Sequence, residues 1–117
     1  MPSLFKEFTF EAAHRLPLVD PSHKCYRLHG HSWRVEVHVT GPIGPNGFVL
    51  DFAEIKQTVN PLIDSLDHQY LNEIPGLANP TSEVVARWFW ERLQGSLPML
   101  DCIVVRETCT SGCMYRG

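Results

Sequence analysis

His29-Gly30-His31-Ser32-Trp33-Arg34-Val35-Glu36-Val37-His38-Val39-Thr40 alternates apolar and polar residues, and that alternation decides the fold. Trp33, Val35, Val37 and Val39 hold the odd positions; Ser32, Arg34, Glu36, His38 and Thr40 hold the even ones. A strand with one buried face has this pattern, because successive side chains point to opposite sides. His29 and His31 therefore continue the apolar face, where their ring nitrogens escape competition from bulk water. Gly30 between them lets the backbone run close to whatever the imidazoles hold. Cys25, four positions before His29, adds a thiol to a segment that reads first as a metal site. His38 falls on the wet face and is assigned no role.

Upstream, residues 4–14 read as another strand. Phe8, Phe10 and Ala12 share a face with His14, while Glu7, Thr9 and Glu11 share the other. Two strands thus carry histidine at the rim of an apolar face, the arrangement that a three-histidine site requires. Between them, residues 15–28 include two prolines, charged residues and Cys25, and read as a loop able to cover the metal.

Downstream, Gly41-Pro-Ile-Gly-Pro-Asn-Gly47 is dense in turn residues. Asp51-Phe-Ala-Glu54 opens a helix with a capping-box-like pattern, and Phe52, Ile55, Val59, Leu62, Ile63 and Leu66 follow helical spacing. Pro61 predicts a kink or a restart. Asp67-His68 closes this helix. Thr81 caps a second, with Glu83 in its positive first turn, Val85, Trp88, Phe89 and Leu93 as its stripe, and Gly95 as its stop. Trp90 lies off the stripe and predicts contact with another subunit. A third strand is read over residues 100–108, and a short fourth follows the turn at Ser111-Gly112. The order ββααββ makes an α+β domain: a mostly antiparallel sheet with two helices on one face.

At 117 residues the chain is one domain, spanning 1–117, with room for a modest core. A formal charge of −3, a pI near 6.0 and no Lys/Arg run argue against a nucleic-acid surface. No apolar stretch approaches the ~20 residues that cross a bilayer. The opening Met-Pro-Ser-Leu-Phe-Lys-Glu-Phe lacks the apolar core of a signal peptide, which predicts a cytoplasmic protein. Cys25, Cys102, Cys109 and Cys113 are then expected as free thiols, with plain thiols favoured over a zinc knuckle at Cys109 and Cys113.

Three neutral imidazoles bind Zn²⁺ as catalytic sites do, leaving a fourth position open. Two other readings remain. The histidines are plain core or surface residues, or Cys25 completes a closed, structural zinc site. In an open site Cys25 becomes a base or nucleophile, since a thiol beside zinc and imidazoles loses its proton readily. Asp67-His68 is either a carboxylate-oriented acid/base or simply a helix end. Glu107 continues the face of Ile103 and Val105 and needs a strong partner there: a guanidine-like ligand group or an arginine of the chain.

Taken together, Phe8-Thr-Phe-Glu-Ala-Ala-His14, Cys25-x-x-x-His29-Gly-His31, Leu66-Asp-His68, Tyr70-Leu-Asn, Asn79-Pro-Thr-Ser-Glu83 and Glu107-Thr resemble the 6-pyruvoyl-tetrahydropterin synthase family nearly end to end. Within it they resemble most the carboxy-forming branch that serves queuosine and related deazapurine biosynthesis. The resemblance implies zinc on His14, His29 and His31, Cys25 as the catalytic thiol, and Asp67-His68 as its acid/base partner. It implies Glu107 holding the pterin's amino and ring N–H groups, with Thr81 and Ser82 at the substrate. The implied substrate is 7,8-dihydroneopterin triphosphate, cut to release acetaldehyde and triphosphate. The implied fold is the tunnelling fold, an oligomeric barrel in which trimers stack into a homohexamer with sites between subunits. The pyruvoyl-forming sister enzymes typically hold two more residues between thiol and His-Gly-His pair, which favours the carboxy branch here. Those sister enzymes and a non-enzymatic zinc module are the alternatives.

Overall fold

The alternating segments pair over their whole length. In a computed structural model that describes residues 1–117, β1 (Ser3–His14) runs antiparallel to β2 (His29–Thr40). Phe8, Phe10 and Ala12 of β1, with Trp33, Val35, Val37 and Val39 of β2, are buried on one face of the sheet. On the opposite face polar side chains pair across the strands, Arg34 with Glu7 at 2.7 Å, Ser32 with Glu11 at 2.6 Å and Glu36 with Arg106, while Glu36 also bonds His38 along its own strand. Burial raises the Glu36 carboxyl, but the hydrogen bonds from His38 and Arg106 prevail and hold it below the usual carboxylate range.

Helices α1 (Phe52–Leu66) and α2 (Ser82–Leu93) cover the apolar face. Ile55, Val59, Ile63 and Leu66 of α1 and Val85, Trp88, Phe89 and Leu93 of α2 are buried, as the helical spacing predicts, but Leu62 is only partly buried and Phe52, in the first turn, is 50% exposed. Asp51 caps α1 by accepting from the Ala53 amide at 2.8 Å. Pro61 neither ends nor restarts α1, which runs unbroken through it. Both Pro61 and Gln57 are exposed, so the Gln57 carbonyl that lacks a helical partner faces water.

The sheet has five strands in the order β3-β1-β2-β4-β5, one more than the sequence pattern suggests. The addition is β3 (Gln69–Tyr70), which pairs parallel to the end of β1 through Ala12↔Gln69 and Ala13↔Tyr70. Two residues are too few to show alternation, which is why the pattern misses it. β4 (Leu100–Arg106) stops before Glu107, and β5 (Cys113–Tyr115) forms the other edge. Within its own chain the partly buried Trp90 ring meets Tyr115 of β5 edge-on at 5.9 Å. Its position off the stripe reflects the tail strand that it covers. All four cysteines are free thiols, and burial pushes Cys102 and Cys113 up.

The two faces should differ sharply in what a truncated aromatic costs. Phe10 is 2% exposed and stacks parallel to Trp33 at 5.8 Å, whereas Phe5 is 55% exposed and stacks on His38 at 5.2 Å. Phe10→Ala should lower unfolding free energy by about 3–5 kcal/mol. Phe5→Ala should cost about 1 kcal/mol, the scale of one exposed stacking contact. Urea titration of both variants checks this, and equal losses would contradict the assignment of faces.

Candidate metal centre

The antiparallel register sets His14 directly opposite His29, and Ala12 opposite His31. Opposed residues in such a pair project to the same side, so three imidazoles gather at the rim of the apolar face. Their ring centroids lie 4.5 Å (His14–His29), 4.9 Å (His29–His31) and 5.1 Å (His14–His31) apart. One ligand atom from each falls within 4.8 Å of the others. Beneath them Trp33 sets its ring edge-on to His14 at 5.0 Å and donates its indole N–H to the Ala12 carbonyl at 3.2 Å.

Hydrogen bonds fix which nitrogen of two rings is free. His14 Nδ1 lies 2.8 Å from the Pro80 carbonyl, and His29 Nδ1 lies 2.7 Å from the Arg27 carbonyl. A carbonyl only accepts, so each Nδ1 carries the proton and each Nε2 presents a lone pair. His14 Nε2 is buried without any hydrogen-bond partner. Burial pushes the His14 ring below the ordinary histidine range, outweighing the Pro80 bond and the Glu107 carboxylate. Burial likewise lowers His31, against the opposing pull of Glu107. Neutral imidazoles with fixed tautomers and an orphaned nitrogen suit a zinc-like cation. Cys25 is not part of this cluster, which does not support the closed four-ligand reading.

Glu107, just past β4, accepts from the Ser82 hydroxyl at 2.8 Å, and its other carboxylate oxygen stands 3.5 Å from His31 Nε2. Its partners are thus a hydroxyl and an imidazole, not one of the chain's arginines. Ser82 opens α2, and Thr81 caps that helix by accepting from the Val84 amide at 3.1 Å.

Asp67 both ends α1 and holds the His68 ring. Asp67 is the C-cap of α1; its carboxylate accepts from the Glu11 amide at 2.9 Å and from His68 Nδ1 at 3.0 Å. The Glu11 amide first, then the His68 ring, hold that carboxyl below the usual range. His68 takes φ 59°, a left-handed turn usually given to glycine after a helix, and stays exposed. It lines a cleft of about 610 Å³ with Ala13, Gly30, His31, Ser32 and Tyr70. Gly30 lines the cleft beside His31, and a Cβ there would meet only the Ala12 carbonyl oxygen at 3.8 Å.

Cys25 lies in a short 3-10 turn, Lys24–Tyr26, within the loop between β1 and β2. No hydrogen bond joins it to Asp67 or His68. Three positioning groups were not evident in the sequence. They are the Pro80 carbonyl behind His14, the Ser82 hydroxyl on Glu107, and Asn72. The Asn72 side chain brackets Arg15, accepting from its amide at 3.0 Å and donating to its carbonyl at 2.8 Å. Only a map of which loops meet could reveal these contacts, since each partner is over twenty residues away in sequence.

The family described as "6-pyruvoyl tetrahydropterin synthase" matches residues 3–117. A Synechocystis sp. protein named 6-carboxy-5,6,7,8-tetrahydropterin synthase is 45% identical over 121 residues, covering 96% of this chain and 91% of its own. A Pyrococcus furiosus protein named dihydroneopterin monophosphate aldolase is 39% identical, covering 77% of this chain and 73% of its own. Among solved structures, Caenorhabditis elegans 6-pyruvoyl tetrahydropterin synthase superposes with a TM-score of 0.87 at 29% identity. That alignment covers 100% of this chain and 97% of the other.

Metal analysis of the purified protein should give about one zinc per chain. The His14→Ala/His29→Ala double variant should lose it and His38→Ala should keep it. Full zinc in the double variant would rule the site out.

Proposed function

The chain belongs to the 6-pyruvoyl tetrahydropterin synthase family, and from that premise we propose that it is a zinc-dependent carbon–carbon lyase. It converts 7,8-dihydroneopterin triphosphate and water to 6-carboxy-5,6,7,8-tetrahydropterin, acetaldehyde and triphosphate, a step of queuosine biosynthesis. The observation that carries this reading is the convergent trio His14, His29 and His31, with Glu107 beside it. The carboxy branch is supported by the name of the Synechocystis relative and by the three-residue spacer Tyr26-Arg27-Leu28.

Zinc on the three histidines would polarise the substrate's side-chain hydroxyls as a Lewis acid. Everything else falls to the chain's own groups. The Glu107 carboxylate accepts the pterin's amino and ring N–H groups, whose guanidine-like edge matches two carboxylate oxygens. Ser82 keeps that carboxylate oriented, and Thr81 frames the same end of the pocket. The Cys25 thiolate takes a proton from the substrate side chain, and Asp67-oriented His68 returns one. Because Cys25 and His68 share no bond within one chain, we propose that they meet across subunits of a homohexamer. The short edge strands β3 and β5 leave sheet edges that such closure would pair.

Incubation of the protein with dihydroneopterin triphosphate should release acetaldehyde in step with the 6-carboxy product. Accumulation of 6-pyruvoyl-tetrahydropterin without acetaldehyde would move it to the sister branch. An inert protein with zinc bound would favour a non-enzymatic zinc module.

Cys25→Ala should lower turnover by about 10²-fold or more, the scale of an acid/base group, while zinc content stays unchanged. Loss of the metal with the thiol would make Cys25 a ligand and overturn this mechanism.

A further inference from the structure

The turn that carries Cys25 is held by an unusual cap. His23 is the N-cap of Lys24–Tyr26, and its ring Nδ1 accepts the Cys25 backbone N–H at 3.0 Å. An N–H can only donate, so Nδ1 is the accepting nitrogen of the ring in this contact. The rest of the turn is tied by other groups. The Cys25 carbonyl accepts from the Leu16 amide at 2.8 Å, and the Tyr26 amide donates to the His23 carbonyl at 3.0 Å. Arg15 lies over the Tyr26 ring at 4.6 Å and donates from Nε to the Tyr26 carbonyl at 3.2 Å. Arg15 is in turn bracketed by Asn72. Cys25 is thus anchored through its carbonyl to the chain leaving β1, while its amide rests on the His23 ring alone.

We propose that His23 is a positioning residue for the Cys25 thiol: its ring sets the backbone at Cys25 and so the direction of Sγ. This rests on the reading of Cys25 as the proton-transfer thiol. A displacement of about 1 Å in a reacting group is enough to lose much of its rate advantage. Losing the cap should therefore act on turnover and leave metal and substrate binding alone, since His23 belongs to neither.

The side-chain geometry supplies a discriminating pair of variants. Asn places its amide oxygen where the histidine Nδ1 stands and is a strong N-cap; Gln carries the same amide one methylene further out. His23→Gln should lower kcat about tenfold, the rate equivalent of one lost cap, with KM within about twofold of the parent. His23→Asn should restore kcat to within about twofold. Hydrogen exchange at the Cys25 amide, followed by NMR on the zinc-loaded protein, should be accelerated in His23→Gln and protected again in His23→Asn. Cys25→Ala is assayed alongside. If Cys25→Ala is inactive yet His23→Gln keeps its full kcat, the positioning role is overturned and the thiol's role stands. If Cys25→Ala retains full turnover, both fall. Equal kcat losses in His23→Asn and His23→Gln would also overturn the proposal, since the cap would then not be what matters.

Discussion

The register between β1 and β2 is the constraint on which the remaining structure depends. Phe10 opposite Trp33, Ala12 opposite His31 and His14 opposite His29 place the core and the imidazole cluster on one continuous face. A slip of one residue would send every one of these side chains to the other face. The register is protected because that slip would also expose Phe8, Phe10, Trp33 and the valines of β2 while burying Glu7, Arg34 and Glu36. Core burial thus holds the three imidazoles in place. The histidines need no stabilising energy of their own, and their ring nitrogens stay free for a ligand.

Burial also sets the electrostatics of the cluster. It favours neutral His14 and His31, the only protonation state in which an imidazole can donate its lone pair to a cation. Glu107 pulls the other way from 3.5 Å. Removing a carboxylate from water in this position is costly unless it is hydrogen-bonded, and Ser82 provides that bond. The result is a rim where three imidazoles and an anchored carboxylate stand side by side.

Helix termini deliver most of the groups that surround this rim. The segment entering α2 supplies the Pro80 carbonyl to His14, the Thr81 cap and the Ser82 hydroxyl. The segment leaving α1 supplies Asp67 and His68, turned by a left-handed residue into β3. Both are places where backbone groups lack helical partners and are free to bond elsewhere. The sheet therefore fixes the imidazoles, the segment entering α2 meets His14 and Glu107, and the end of α1 places His68 on a cleft that His31 also lines.

The sequence by itself determined the long strands, the buried helical faces and the three histidines on one side, because each rests on a period that burial imposes. It also marked Cys25, Asp67, His68 and Glu107 as chemistry-bearing residues, through their surroundings and their resemblance to a family. It could not show that α1 runs unbroken through Pro61, that Trp90 meets the tail strand or that Gly30 lines a cleft, because these settings depend on which elements come together. Only the tertiary structure decided that Glu107 is held by Ser82, that His14 is oriented by Pro80, and that Asn72 brackets Arg15. It alone separated Cys25 from the imidazole cluster and revealed the His23 ring beneath it. Periodicity reports only which side of an element is buried, whereas these contacts join loops distant in the chain whose side chains follow no repeat.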